Sequence, residues 1–295
     1  MNDPIKGHAA RVRAADPLVA GQDVLPGSGV ETLIQAPGAV GTAAVDRIDP
    51  DAMRASWSPL VVHRLQARVA GPDPEAALGG LLDRWLAGVR NDEPGQALSV
   101  SWPSRDVAPV RALAVRGFAP IAVAAVRRLR PQRMAAAPTV RRATGDDVEA
   151  VTRMYRRLVD YDARFGWVTR RASTGERIRE SVAAEVLPLE WCWLAEVGGR
   201  PAGCVIVQPP ARSGWIARSV NDAPVAYLGV MYVAPSLRGQ GVGAALTEVA
   251  HNEAAAQGVS SMVLHHALPN PLSTPFWARR GYRPLITQWV RFLGV

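Results

Sequence analysis

Hydrophobic positions recur with two different periods along the second half of the chain, and the periods predict its elements. Val148, Val151, Tyr155, Leu158 and Val159 fall at helical spacing, the pattern of an amphipathic helix. Thr144 and Asp147 stand just upstream, three residues apart, in the order of a capping box at a helix start. Thr139 to Ala143 reads as a short strand before it, and a second helix is expected from about Ser173 to Val186, ending before Pro188. Trp191 to Val197 and Ala202 to Val207 read as strands joined at Gly198-Gly199, a hairpin signal. Tyr227 to Val233 and Met262 to His266 are nearly continuous apolar strands; between them Val242, Ala245, Leu246 and Val249 share one helical face. Arg130 to Pro138 holds two prolines among small residues. It reads as a linker between a first unit, 1–134, and a second, 138–295.

The two units align with each other. At an offset of 164 residues, Val69-Ala70 falls on Val233-Ala234, Gly79 on Gly243 and Leu82 on Leu246. Without a gap the register continues: Ala114, Arg116, Gly117, Phe118 and Pro120 fall on Ala278, Arg280, Gly281, Tyr282 and Pro284. This reads as two copies of one α/β unit. Thr139 would fall before residue 1, so the first copy must lack or shorten the opening strand and helix. It is expected to lean on the second copy through an apolar interface.

Composition narrows the class. Hydrophobic residues make up 48% and charged residues 20% of the 295, which excludes a disordered, collagenous or coiled-coil chain. No apolar run reaches membrane-spanning length and Met1 to Val30 lacks a signal-peptide pattern, so a cytoplasmic protein is expected. Cys192 and Cys204 sit in apolar contexts without metal-ligand spacing; they read as buried small hydrophobes, and no metal is expected. The net charge is +8, with 33 arginines against one lysine, Lys6, a skew that fits a GC-rich bacterial genome. The arginines are scattered or in doublets with no aromatic interleaving, which argues against nucleic acid; a polyanionic small ligand fits the charge equally well.

The most informative segment is Val233 to Leu246. A strand ends at Pro235, a turn carries Gly239, Gly241 and Gly243, and a helix follows. Glycines let the backbone approach an oxyanion, and the free N–H groups of a first helical turn point at it; Arg238 adds a cation. The order is neither the dinucleotide nor the Walker pattern. Arg-x-x-Gly-x-Gly after a Val-x-Pro strand end resembles the acetyl-CoA loop of the GNAT acetyltransferase superfamily. The segment from Met262 through Asn270 and Ser273 to Phe276-Trp277-Ala278-Arg279-Arg280-Gly281-Tyr282 is similar to that family's second cofactor motif. The resemblance implies two tandem GNAT-like mixed β-sheets flanked by helices, the C-terminal copy complete and the N-terminal copy truncated. It further implies acetyl-CoA as co-substrate. Backbone groups of Met231 and Val233 would hold the pantetheine arm. The loop Arg238, Gly239, Gln240, Gly241, Val242, Gly243 and Ala244 would take the pyrophosphate, with Asn270, Ser273 and Trp277 along the cofactor. In the first copy Pro74 and Ala77 replace Arg238 and Gly241, so that copy is expected to bind no cofactor.

The implied reaction is acetyl transfer to a primary amine of a small-molecule or peptide acceptor, by direct attack. It needs a base for the amine and a proton for the thiolate. His265 is the candidate base, at the place where relatives of this kind carry a Glu. Trp277 stands where the family carries its acidic Tyr, which leaves Tyr232 or Tyr227 as the proton donor, or none. Tyr155, Tyr161, Asp162 and Phe165 gather aromatics and an acid at the end of the first helix, a wall suited to a small cationic amine. The alternatives are a non-catalytic acyl-CoA sensor, prompted by Trp277, and a protein N-terminal or lysine acetyltransferase.

Overall fold

A computed structural model describes residues 3–25, 31–91, 93–130 and 140–294; the expected linker, 130–138, falls almost wholly outside them. The chain opens with α1 (Pro4–Ala15), then β1 (Thr32–Ala36), β2 (Ala39–Arg47), β3 (Val61–Val69), α2 (Pro74–Ala87), β4 (Gln96–Pro103), α3 (Val110–Ala114) and β5 (Ala119–Arg128). The second half runs β6 (Val140–Arg142), α4 (Val148–Asp162), α5 (Thr174–Ser181), α6 (Leu187–Leu189), β7 (Trp191–Val197), β8 (Arg200–Gln208), α7 (Gly214–Ala217), β9 (Val225–Val233), α8 (Val242–Ala256), β10 (Ser261–Ala267), α9 (Ser273–Arg279) and β11 (Arg283–Phe292).

Local chemistry sets these elements where the periodicity put them. Asp147 accepts the Thr144 backbone N–H at 2.8 Å and is clamped by both terminal nitrogens of Arg141, fixing the entry to α4. That helix turns Val151, Met154 and Val159 to the sheet. Gly198 and Gly199 both take positive φ, 59° and 70°, the backbone of a two-residue hairpin turn. The second helix runs past Val186 to Leu189: a π turn at Val182–Val186 shifts the ladder so that Pro188, which has no N–H, is accommodated.

Two sheets were expected; the described strands form one, in the order β1-β2-β3-β4-β11-β5-β10-β9-β8-β7-β6. The last strands of the two halves cross over. β5 pairs with β10, β11 pairs with β4, and the two pair with each other, antiparallel, at the centre. Exchange closes two edges that separate sheets would leave open. β3 and β9 are nine residues each and β5 and β11 ten, both pairs set at the offset where the sequence halves align. Helices α2, α3, α8 and α9 cover one face, and α1, α4, α5 and α7 the other. None of the described helices is long and apolar enough to cross a membrane.

Two places in the sheet splay. β9 pairs with β10 only from Val225–Ser261 to Leu228–Leu264, then each strand follows its outer neighbour. A bulge at Gly229, between the Val207–Leu228 and Ile206–Val230 pairs, turns β9 away. β3 and β4 part likewise after Leu65–Val100. Here α1 spans the gap. Arg11 donates to the Val69 carbonyl at 2.6 Å and to the Asp106 carboxylate at 3.0 Å, while His8 meets Trp102 edge-on at 5.3 Å. Gly7 is required by this approach, since a Cβ there would lie 2.6 Å from that of Ala70. The Asp106 side chain is 2% exposed. Arg11→Ala would strand its charge, and a loss of about 3–5 kcal/mol is expected, read as a lowered midpoint in urea unfolding.

Candidate active site

The open splay, between β9 and β10, is flanked by the glycine loop. Gly239 and Gly241 both sit at positive φ, 80° and 83°, where any side chain is strained. Gly241 is the N-cap of α8 and no side chain caps that end, so the first amides of the helix, at Val242, Gly243 and Ala244, face out of the helix without intrahelical partners. The dipole adds partial positive charge there. Arg238 lies against the same end: its Nε donates to the Val233 carbonyl at 3.3 Å and its guanidinium covers the Tyr161 ring at 5.4 Å. Gln240 ties the loop to itself through the Ser236 carbonyl. Gly243 is small because Phe276 packs on it; a Cβ would come within 3.2 Å of that ring and 3.5 Å of Met231. Met231 and Val233 are half-buried on this side of β9.

The counterpart in the first half is built otherwise. The α2 N-terminus starts with Pro74, which has no N–H, and Asp73 Oδ1 already accepts the Ala76 amide at 2.9 Å. A carboxylate thus stands where an anion would go.

His265 is the first β10 residue past the last β9 pair. Its Nδ1 is 3.1 Å from the Tyr227 hydroxyl, and the Trp215 ring lies parallel to the imidazole, 12° apart with centroids at 6.0 Å. Trp215 also meets Tyr227 edge-on at 4.8 Å, and its Nε1 donates to Gln208 Oε1 at 3.0 Å. The Tyr227 ring lies along its own strand over Gly229, where a Cβ would come within 3.3 Å. Desolvation by the cleft walls, then the neighbouring His266, lower the His265 pKa. Water still reaches the ring, so the desolvation is partial. The imidazole is neutral at pH 7 and remains able to take a proton. Desolvation raises the Tyr227 pKa, so its phenol stays protonated.

The other expected residues divide among several places. Tyr232 is buried beneath α4 among Val151, Met154 and Val230, and the tyrosine in contact with His265 is Tyr227. Trp277 is 7% exposed and packs in the core, edge-on to Tyr282 at 5.3 Å; of the Phe-Trp pair, it is Phe276 that faces the loop. The Asn270 side chain is committed: Oδ1 accepts the amides of Leu272 and Ser273, starting α9, and Nδ2 donates to Asp162 at 3.1 Å. Burial pushes the Asp162 carboxyl up to about 6. Tyr161 and Phe165 form an edge-on pair at 5.4 Å, with the Arg238 guanidinium over the Tyr161 ring. Tyr155 packs on Trp57 of the first half at 6.0 Å. Sequence reasoning missed Trp215, Gln208 and Trp57. Trp215 lies on a four-residue helix that has no period to read. No cluster of metal-ligating side chains exists among the described residues. A groove of about 500 Å³ lined in part by Asp16, Arg105, Arg128 and Arg283 lies elsewhere and shares none of these residues.

The site is thus a mixed sheet splayed between two parallel strands, with a glycine-rich helix start that no side chain caps beside the splay. Residues 162–282 match the model of the acetyltransferase (GNAT) family. The GCN5-related N-acetyltransferase of Sphaerobacter thermophilus is similar over 99% of this chain and 94% of its own, with a TM-score of 0.61 at 17% identity. A GCN5-related N-acetyltransferase from Kribbella flavida covers 98% and 96%, at a TM-score of 0.46 and 16% identity. No curated protein shows significant sequence similarity. By its likeness to the Sphaerobacter thermophilus structure the fold is GNAT-like along the whole chain, and the family's sequence signature lies in 162–282.

Proposed function

We propose that the chain is an acetyl-CoA-dependent N-acetyltransferase with one working cofactor site, in the second half, and a first half that is a degenerate copy. The observation that carries this reading is the joining of the glycine loop to the open splay, with His265 at its crotch. The residues fit the ligand: the α8 amides and Arg238 would hold the pyrophosphate, and the β9 edge from Gly229 to Val233 would lie along the pantetheine arm. Bound acetyl-CoA supplies an activated acetyl group. The chain's own part is proton handling. With the imidazole proton on Nδ1, directed at the Tyr227 oxygen, Nε2 keeps a lone pair for the proton lost by the attacking amine. The Tyr227 hydroxyl is then free to donate to the departing sulfur. In this reading Tyr227 takes the acid role for which Tyr232 was a candidate, and the buried Trp277 contributes packing.

The first half's splay is filled by α1 and its helix start is capped by Asp73, which supports a structural role for that half. The test is release of free thiol from acetyl-CoA across a panel of amines, peptides included. Amine-dependent release supports the reading. Tight acetyl-CoA binding with no release for any amine would make the chain an acyl-CoA sensor instead.

A further inference from the structure

Around His265 the cleft is walled by rings from three separate parts of the chain. Trp215 comes from α7 and is 53% exposed, with its indole pinned by Gln208. Tyr227 comes from β9. Tyr155, on α4, packs against the cluster that holds Val230 and Tyr232 of β9, on the face of the sheet that also carries Tyr227. Trp57 backs Tyr155 from the first half. That half also braces the connection between α4 and α5. Ser56 Oγ meets Thr174 Oγ1 at 2.7 Å, the Ser56 carbonyl accepts the Thr169 amide at 3.0 Å, and Arg171 donates to the Ala55 carbonyl at 3.1 Å.

The carboxylates near this wall already have partners. Glu190, 6% exposed, is bonded to Gln208 and lies 3.5 Å from Arg212. Glu185 pairs with the same arginine at 2.5 Å. Asp162 accepts from Asn270 and Asp160 pairs with Arg170 at 3.6 Å. A second ammonium on the acceptor would find no carboxylate without a partner among these groups, and the chain's net charge of +8 opposes a polycation. Rings, by contrast, offer a large apolar surface and edge-to-face contacts to a flat group.

Resting on the acetyltransferase reading above, we propose that the acceptor is a monoamine carried on an aromatic body, an arylalkylamine, held by Trp215, Tyr227 and Tyr155, and that the first half shapes this pocket through Trp57. The ring of the acceptor packs against the indole of Trp215, and its amino group points to His265 Nε2. The amine nitrogen bonds to the acetyl carbon, the carbon–sulfur bond breaks with its electron pair on sulfur, and the ammonium proton passes to His265.

The experiment compares 2-phenylethylamine with spermidine as acceptors for the full-length protein. kcat/KM for 2-phenylethylamine is expected to exceed that for spermidine by roughly tenfold or more. Trp215→Ala and Trp57→Ala should each raise the KM for 2-phenylethylamine by about tenfold, leave the Kd for acetyl-CoA unchanged, and lose most of the effect as Trp215→Phe and Trp57→Phe. Calorimetric titration of 2-phenylethylamine into the cofactor-free protein should show the same loss, a readout that does not depend on turnover. Equal or better use of spermidine overturns the proposal. So does an unchanged KM in both alanine variants, or acetyl transfer to other amines and not to 2-phenylethylamine. Absence of acetyl-CoA binding, or of thiol release with every amine, would strike the underlying reading; binding of 2-phenylethylamine dependent on Trp215 would still stand.

Discussion

Arg238→Glu combined with Gly241→Asp should weaken acetyl-CoA binding by about 10²-fold or more, and the wild-type chain should bind one molecule. Gly241 holds φ at 83° as the α8 N-cap, a conformation that costs a non-glycine residue about 1–3 kcal/mol. Aspartate there strains the turn and also sets a carboxylate at the positive end of the helix, where it competes with phosphate for the same amides. Arg238→Glu replaces the cation at that end by a second anion. Charge-assisted hydrogen bonds to phosphate are roughly twice as strong as neutral ones, so losing them and adding repulsion is expected to weaken binding by about 10²-fold or more, equivalent to about 2.7 kcal/mol. Titration calorimetry gives both affinity and stoichiometry. The loop is exposed and Arg238 makes no buried ion pair among the described residues, so the melting temperature should move little and separate a binding defect from unfolding. The predicted stoichiometry of one follows from the first half, whose α2 terminus is capped by Asp73 and whose splay is spanned by α1 through Arg11. Two sites per chain, or near-normal affinity in the double variant, would refute the assignment of the loop.

What could be read from sequence and what could not divides by the range of the interaction. The glycine loop, the capping box at Thr144 and Asp147, the hairpin at Gly198-Gly199 and the helical face of α8 are set by residues a few positions apart, and pattern alone finds them. The crossing of β5 and β11 is a pairing between residues more than a hundred apart, and no local period encodes which partner a strand takes. The tyrosines show a subtler limit. Strict alternation puts Met231 and Val233 on the opposite face from Leu228. The bulge at Gly229 shifts the alternation by one, so Leu228, Met231 and Val233 all face α8 while Tyr232 goes under α4. A one-residue insertion decided which tyrosine enters the cleft. Phe276 and Trp277 differ by one position on α9, about 100° of rotation, and tertiary packing rather than motif spacing chose which ring turns to the core. Trp57 ends a five-residue 3-10 turn, Met53–Trp57, too short to carry a period, and nothing in its surroundings in the sequence marks it.

His265→Gln is expected to lower kcat/KM by about 10²–10⁴ with acetyl-CoA affinity nearly intact, the usual range for loss of a positioned general base. The imidazole sits on the first β10 residue past the last β9 pair, where the two strands part. Its pKa is lowered by desolvation in the cleft and by His266. In the proposed mechanism His265 works in its neutral form, so the wild-type rate should fall as the pH drops through a value below 6.5, and this limb should be absent or displaced in His265→Gln. Tyr227→Phe removes the hydroxyl that lies 3.1 Å from Nδ1. The imidazole then loses its Nδ1 partner, and in the proposed mechanism the thiolate loses its proton donor. A fall in kcat of about tenfold or more is expected with KM for acetyl-CoA little changed. Trp277→Phe serves as the contrast: the ring is buried in the core, so the change should cost stability and leave kcat within a few fold. A pH profile in His265→Gln that overlays wild type would remove the base assignment. A collapse of kcat in Trp277→Phe with Tyr227→Phe fully active would move the proton donor from β9 to α9.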